Sequence, residues 1–243
     1  MTPAQLITRV VHTLLPVDCT SCGEALWDDP IPFFCQPCWS QIASFQGPVC
    51  PRCSFPFPSP VALAHSPFHL CGPCRRRPPA YTKAWTLYAY KPPLREAISK
   101  FKYHGKITLA RPLADLMIAA FTHPPEIDCI LPVPLHPLRL REREYNQSLL
   151  LADCLGRHYK VPVLCNVLLR TRHTLPQTGL NRAARLKNLR RSFTVTQPAR
   201  ITGKHLLLVD DVFTTGTTVN ECAKTLRKAG AAEVYVETLA RMV

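Results

Sequence analysis

The chain has 243 residues, 47% hydrophobic and 19% charged, with a formal net charge of +14. That balance supports a sizeable core and excludes a disordered polyelectrolyte, and no apolar run approaches the ~20 residues of a membrane-spanning helix. The charge is concentrated: residues 1–80 hold 5 basic and 4 acidic side chains, whereas residues 139–204 hold 14 and 3, a segment suited to phosphate, pyrophosphate or nucleic acid.

The first element expected is a short helix. Thr2 is its N-cap, Pro3 occupies the first helical position, Gln5 completes a capping box and Pro16 ends it. Arg9 and His12 interrupt its apolar stretch, so it reads as mature protein and not as a secretory leader. Eight of the 12 cysteines and 14 of the 25 prolines then fall within residues 1–80. The cysteines form four C-x2-C pairs: Cys19/Cys22, Cys35/Cys38, Cys50/Cys53 and Cys71/Cys74. Each pair is a tight turn that aims two thiolates at one ion, and zinc takes four such ligands in a tetrahedron. Iron–sulfur ligation uses other spacings, and a disulfide scaffold belongs to secreted chains. Two structural zinc ions are therefore expected. Four pairs can be grouped into two sites in three ways. The sequential grouping, Cys19, Cys22, Cys35, Cys38 and then Cys50, Cys53, Cys71, Cys74, closes the shortest loops. His65 and His69 near the fourth pair are read as bystanders. Composition changes at Pro78-Pro79, which places a domain boundary there, with residues 1–79 before it and 80–243 after it.

Beyond the boundary, residues 84–90 read as a strand. Leu94, Ala97, Ile98 and Phe101 repeat at helical spacing, and residues 109–121 form a second helix. Strands follow at 127–133, 163–169, 205–211 and 233–239, with helices at 147–158 and 217–229, the last closed by Gly230. Alternating strands and helices make this an α/β unit with a parallel sheet covered on both faces. Cys129, Cys154, Cys165 and Cys222 are scattered among these elements and are expected to be small buried hydrophobes.

The segment from Leu206 to Thr218 carries the chemistry. An apolar strand ends in Asp210 and Asp211. A loop with Thr214, Thr215, Gly216, Thr217 and Thr218 follows and opens a helix, offering N–H groups and hydroxyls to an anion. No lysine follows the glycine, so this is not the nucleotide P-loop. Two carboxylates beside a phosphate site suit a ligand that also presents hydroxyls or a magnesium ion, as a sugar phosphate does.

This segment resembles the phosphoribosyl pyrophosphate (PRPP) signature of type I phosphoribosyltransferases. The resemblance implies that Asp210 and Asp211 hold the ribose hydroxyls, and that Thr214, Thr215, Gly216, Thr217 and Thr218 wrap the 5′-phosphate. It implies that Pro132, Val133 and Pro134 receive the pyrophosphate, that Mg2+ accompanies PRPP, and that Arg182, Arg185, Lys187 and Arg190 sit on a loop closing over it. The chain as a whole resembles the ComF/GntX family of competence-associated proteins, in which zinc knuckles precede such a domain. The motifs at 101–105, 132–136, 139–147, 176–180 and 188–193 fit its pattern. One departure is Glu144, where the family usually has glycine; the exchange is expected to stiffen the local turn.

Three readings of function follow from the resemblance. The first is a cytoplasmic, PRPP-binding protein of DNA uptake that handles single-stranded DNA through Arg139, Arg143, Arg182, Arg185 and Arg190, with Tyr81, Trp85, Tyr88, Tyr90, Tyr103 and Tyr145 as stacking candidates. The second is a phosphoribosyltransferase with an unknown acceptor, for which Arg182, Arg185 and Lys187 are the catalytic candidates. The third is a zinc-ribbon scaffold for a helicase or uptake partner. Likeness to the synthase half of glutamine amidophosphoribosyltransferase does not extend to its glutaminase, whose N-terminal cysteine has no counterpart at Thr2.

Overall fold

The computed structural model describes residues 17–64, 66–121, 124–171 and 192–242. The helix expected at the N-terminus, His65, and the loop candidates Arg182, Arg185, Lys187 and Arg190 lie outside the described residues.

The centre of the molecule is a parallel sheet. Its strands are β3 (Lys83–Ala89), β4 (Cys129–Pro132), β7 (His205–Phe213) and β8 (Glu233–Arg241), in the order β3-β8-β7-β4. Val163 adds a further parallel bridge to Ile130 beyond β4. The apolar runs of β4 and β7 are buried on both faces, as parallel strands under helices must be. One face packs against α4 (Leu94–Tyr103), α5 (Ala110–Ala120) and α7 (Gln147–Tyr159) through Ile98, Phe101, Met117 and Leu155. The other packs against α8 (Thr217–Lys228) through Val219, Cys222 and Leu226.

The cysteine-rich segment precedes this sheet and closes its edge. It contains the short ribbon β1 (Val17–Asp18) and β2 (Ala25–Leu26), and the single turns α1 (Gln36–Trp39), α2 (Val61–Ala64) and α3 (Gly72–Arg76). Phe45 N–H donates to Leu87 O at 3.0 Å and Ala84 N–H to Arg52 O at 2.9 Å, so the open side of β3 is paired. Cys19, Phe34, Cys35, Cys38 and Trp39 join the core on the α4/α5 face. Cys50, Cys53, Cys71 and Cys74 join the core on the α8 face.

Several details differ from the sequence expectation. The strand expected at 163–169 is split. Val163 bridges β4, a turn at Cys165-Asn166 intervenes, and β5 (Leu168–Arg170) then pairs antiparallel with β6 (Phe193–Val195). Cys165, in that turn, is exposed and is not a core residue. Finally, β7 continues two residues past Asp211, to Phe213. A helix that periodicity did not indicate, α6 (Pro137–Arg143), has no buried residue and so leaves no apolar stripe to read.

Candidate functional site

The four sulfurs of Cys19, Cys22, Cys35 and Cys38 lie within 4.8 Å of one another, as do those of Cys50, Cys53, Cys71 and Cys74. Cys22 and Cys35 approach to 3.7 Å and Cys53 and Cys71 to 3.6 Å. A tetrahedral zinc with Zn–S near 2.3 Å sets its sulfurs about 3.8 Å apart, so both clusters fit the ion. The two sites repeat one backbone design. Cys19 N–H donates to Glu24 O and Gly23 N–H to Cys19 O; Cys50 N–H donates to Phe55 O and Ser54 N–H to Cys50 O. Gly23 and Ser54 take the same left-handed turn, at φ 78° and 53°. Cys35 N–H and Cys71 N–H reach back to Cys19 Sγ and Cys50 Sγ at 3.4 Å. Proline in the first turn then starts α1 and α3, which return Cys38 and Cys74 to their clusters. His69 packs its ring on Phe57 and belongs to neither cluster.

Asp210 and Asp211 lie near the carboxyl end of β7, where ligands of parallel sheets bind. Asp210 is partly exposed and Asp211 is buried. Lys102, from the last turn of α4, places Nζ 2.8 Å from Asp211 Oδ1. Asp211 Oδ2 is buried with no hydrogen-bond partner among the described residues. Asp210 Oδ1 accepts from Ser148 Oγ at 2.9 Å and from the Asp211 N–H at 3.0 Å. Loss of solvent, reinforced by the Asp211 charge, raises the Asp210 carboxyl to about 7, against the opposing pull of Lys102 and Ser148. Burial pulls Lys102 down, but Asp211 and then Asp210 outweigh it and hold its pKa above the ordinary value. One carboxylate oxygen locked by a lysine and another left without a partner make an acceptor set suited to ligand hydroxyls and a hard cation.

The turn after β7 depends on Gly216. It takes φ 71°, and a Cβ there would stand 2.3 Å from Phe213 Cζ. Gly216 caps α8, and Asn220 N–H donates to its carbonyl at 3.0 Å. Thr214 and Thr215 are exposed, Thr217 is buried, and the hydroxyls of Thr215 and Thr217 are 2.8 Å apart. Hydroxyls and the start of a 12-residue helix converge on one point, an arrangement that fits a phosphate group.

Pro132, Val133 and Pro134 line the neighbouring strand end and are buried. The two prolines have no N–H, and the Val133 N–H is committed to Val209 O at 2.9 Å. This segment therefore offers an anion a wall and not donors. Asn146 fixes it: Nδ2 donates to Val133 O at 3.1 Å while Oδ1 caps α7 at Ser148 N–H. The Tyr145 hydroxyl, one residue earlier, donates to Phe101 O. Glu144, between α6 and this tether, takes φ 66°.

Basic groups lie on the Lys102 side of the acid pair. Arg139 and Arg143 share a recess of about 300 Å3 with Lys102, Tyr103 and Glu142. The Arg143 guanidinium stacks 4.8 Å from the centre of the exposed Tyr103 ring, and Arg139 pairs with Glu142 at 3.0 Å. Arg170, the last residue of β5, has its pKa lowered by burial, an effect that Asp210 opposes. Tyr81 and Tyr88 are buried, which removes them as stacking surfaces.

Lys102 and Ser148 join the candidate site without a sequence signal of their own. Lys102 falls within the 101–105 motif, but its partner is 109 positions away, and nothing local announces the pair.

A double ribbon of four-cysteine sites sealing the edge of a parallel sheet, with an acid pair and a threonine-rich turn at the sheet's carboxyl end, defines a zinc-ribbon protein with a phosphoribosyltransferase-type domain. The double zinc ribbon domain family matches residues 10–75, and the phosphoribosyl transferase domain family matches residues 167–241. The chain belongs to the ComF/GntX family. It is 36% identical over 214 residues to competence protein F of Haemophilus influenzae, covering 85% of this chain and 90% of that protein. It is 34% identical over 213 residues to the DNA utilization protein YhgH of Escherichia coli O6:H1, covering 85% and 89%. Among solved structures, the glutamine PRPP amidotransferase of B. subtilis complexed with ADP and GMP is similar at 20% identity and a TM-score of 0.41, over 58% of this chain and 30% of that one.

Proposed function

We propose that the chain binds PRPP with Mg2+ at Asp210, Asp211 and the turn at residues 214–218, and that it acts in DNA uptake or use in the cytoplasm, handling single-stranded DNA. One observation carries the PRPP reading: the buried, unpartnered Asp211 Oδ2 beside Asp210, at the foot of a turn that only glycine can make at position 216. Asp210 and Asp211 accept the ribose hydroxyls, and the Mg2+ of the complex screens the pyrophosphate from their charge. The helix start and the hydroxyls of Thr214, Thr215, Thr217 and Thr218 hold the 5′-phosphate. Pro132, Val133 and Pro134 form the wall of the pyrophosphate site, and the cations of residues 182–190 supply its donors.

The names of the relatives, competence protein F and DNA utilization protein, support the physiological part. The physical support is the recess where Arg143 stacks on Tyr103 beside Arg139 and Lys102: cations for the backbone and an aromatic face for a base. The zinc ribbons are structural, and the division of the chain falls at Pro79.

The experiment is a four-way titration: Mg-PRPP alone, a single-stranded oligonucleotide alone, and each in the presence of the other. Both ligands are expected to bind, and PRPP is expected to change DNA affinity because the acid pair and the basic recess share Lys102. Absence of DNA binding at micromolar protein, together with pyrophosphate release when an acceptor is supplied, would replace this reading with that of an enzyme.

A further inference from the structure

The second four-cysteine cluster and the threonine-rich turn face each other across a cleft of about 460 Å3. Cys53, Cys71 and Cys74 line one wall and Thr215, Gly216 and Thr217 another. Arg241, the last residue of β8, also lines this cleft and is only 7% exposed. Its Nη1 donates to the Cys53 carbonyl at 2.7 Å. Its guanidinium lies 4.5 Å from the centre of the Phe213 ring and 5.2 Å from that of Phe55. Phe213 is the ring against which Gly216 closes, and Arg241 is its direct neighbour in the β7–β8 register. An unbroken line of contacts thus runs from the second knuckle through Arg241 and Phe213 to the glycine of the turn.

A buried arginine is unusual without an acidic partner. Among the described residues no ion pair involves Arg241, and its Nε is buried without a hydrogen-bond partner. What it meets is the Cys53 carbonyl, the main chain of a residue of the second cluster, and both side chains line the same cleft. Four thiolates around one divalent ion carry a net negative charge, and a planar cation that both stacks and donates is the group that answers it. The first four-cysteine cluster packs on the opposite face of the sheet.

We infer that Arg241 is a positioning residue that couples metal binding in the second ribbon to ligand affinity at the threonine-rich turn. The inference rests on the reading of that turn as a PRPP site. Coupling is reciprocal at equilibrium. Mg-PRPP therefore raises zinc affinity at one of the two sites, and zinc there raises PRPP affinity by the same factor.

The test uses the full chain loaded with zinc. Zinc affinity is measured by competition with a chromogenic chelator, with and without Mg-PRPP, and PRPP affinity by calorimetry. The Cys22→Ser variant, which weakens the first site, assigns the two zinc equivalents. In the wild type, PRPP is expected to tighten only the second-ribbon zinc, three- to tenfold. Arg241→Met keeps the packing stem but not the donors or the charge; it is expected to retain two zinc ions, bind PRPP about tenfold more weakly and lose the coupling. Arg241→Lys restores the charge without the planar fork and should recover part of it. A merely structural arginine would lower thermal stability and leave the coupling intact. Should Arg241→Met fail to fold, Phe213→Leu cuts the same line while sparing the bond to Cys53, and the coupling should again vanish. Normal PRPP binding with zinc affinity unmoved, or full coupling in these variants, overturns the inference alone. A wild type that does not bind PRPP overturns the PRPP reading and the inference with it.

Discussion

Glu237 sits inside β8 with no exposed surface, and neither carboxyl oxygen has a hydrogen-bond partner among the described residues. Burial raises its pKa from the usual 4.5 to about 8. The fold therefore keeps the proton that the unfolded chain releases between these values. Stability contributed at this position falls as pH rises from about 4.5 to 8 and is constant above. Glu237→Gln should abolish the trend, its advantage over the wild type growing by about 3 kcal/mol between pH 4.5 and 7 in denaturant melts at stepped pH. A difference that does not change with pH would show that the group is not held protonated. Tyr159, whose pKa is raised by its own burial and by the Glu237 charge, is the neighbouring titratable group. Glu144 holds φ 66° at the end of α6, where the family resemblance placed a glycine. A left-handed non-glycine residue costs about 1–2 kcal/mol, part of which the greater chain entropy of glycine offsets. Glu144→Gly should then stabilise the protein by up to ~1 kcal/mol in thermal melts. The exchange itself was legible in the sequence; its conformation was not, because no local signal separates a glutamate that continues a helix from one that ends it.

The zinc ribbons were the most legible elements, because a C-x2-C turn is a local structure with one purpose. Their partner was not. That one cluster packs on the α4/α5 face and the other on the α8 face follows from which surface β3 leaves open, a long-range fact with no sequence period. Elemental analysis of protein purified without added metal should give close to two zinc equivalents per chain. A value near zero, with disulfides seen by mass spectrometry, would contradict the metal assignment. Because the first cluster shares a core with Phe34, Trp39 and Leu94, Cys19→Ser should lower the melting temperature of the whole chain. The helices of the α/β part were legible from their periodicity; α6, with no buried side, was not. Asn146 joins two elements by capping α7 and holding the Val133 carbonyl. Asn146→Ala should cost about 1–2 kcal/mol through the lost cap and weaken PRPP binding as well.

Across the whole molecule, residues 139–204 carry 14 basic and 3 acidic side chains, and among the described ones Arg139 and Arg143 line the recess of Lys102 while Arg170 feels the Asp210 charge. If these side chains neutralise phosphates, log affinity for single-stranded DNA falls with log salt by about 0.7 per phosphate contacted. Charge reversal at Arg139 and Arg143 should flatten that slope, as should reversal at Arg182, Arg185 and Arg190. An unchanged slope would place the DNA surface elsewhere. The proposed PRPP site is the acid pair of β7 and the turn after it. Calorimetric titration of Mg-PRPP into the wild type and into the Asp210→Asn, Asp211→Asn double variant tests it most directly. Charged hydrogen bonds are typically worth about 1.5–3 kcal/mol each, so the variant should bind at least roughly tenfold more weakly. With Asp210 titrating near 7, wild-type affinity should also strengthen from pH 6 to 8 by a margin that the variant lacks. No heat of binding in the wild type, or one dissociation constant shared by both proteins, would overturn the PRPP reading.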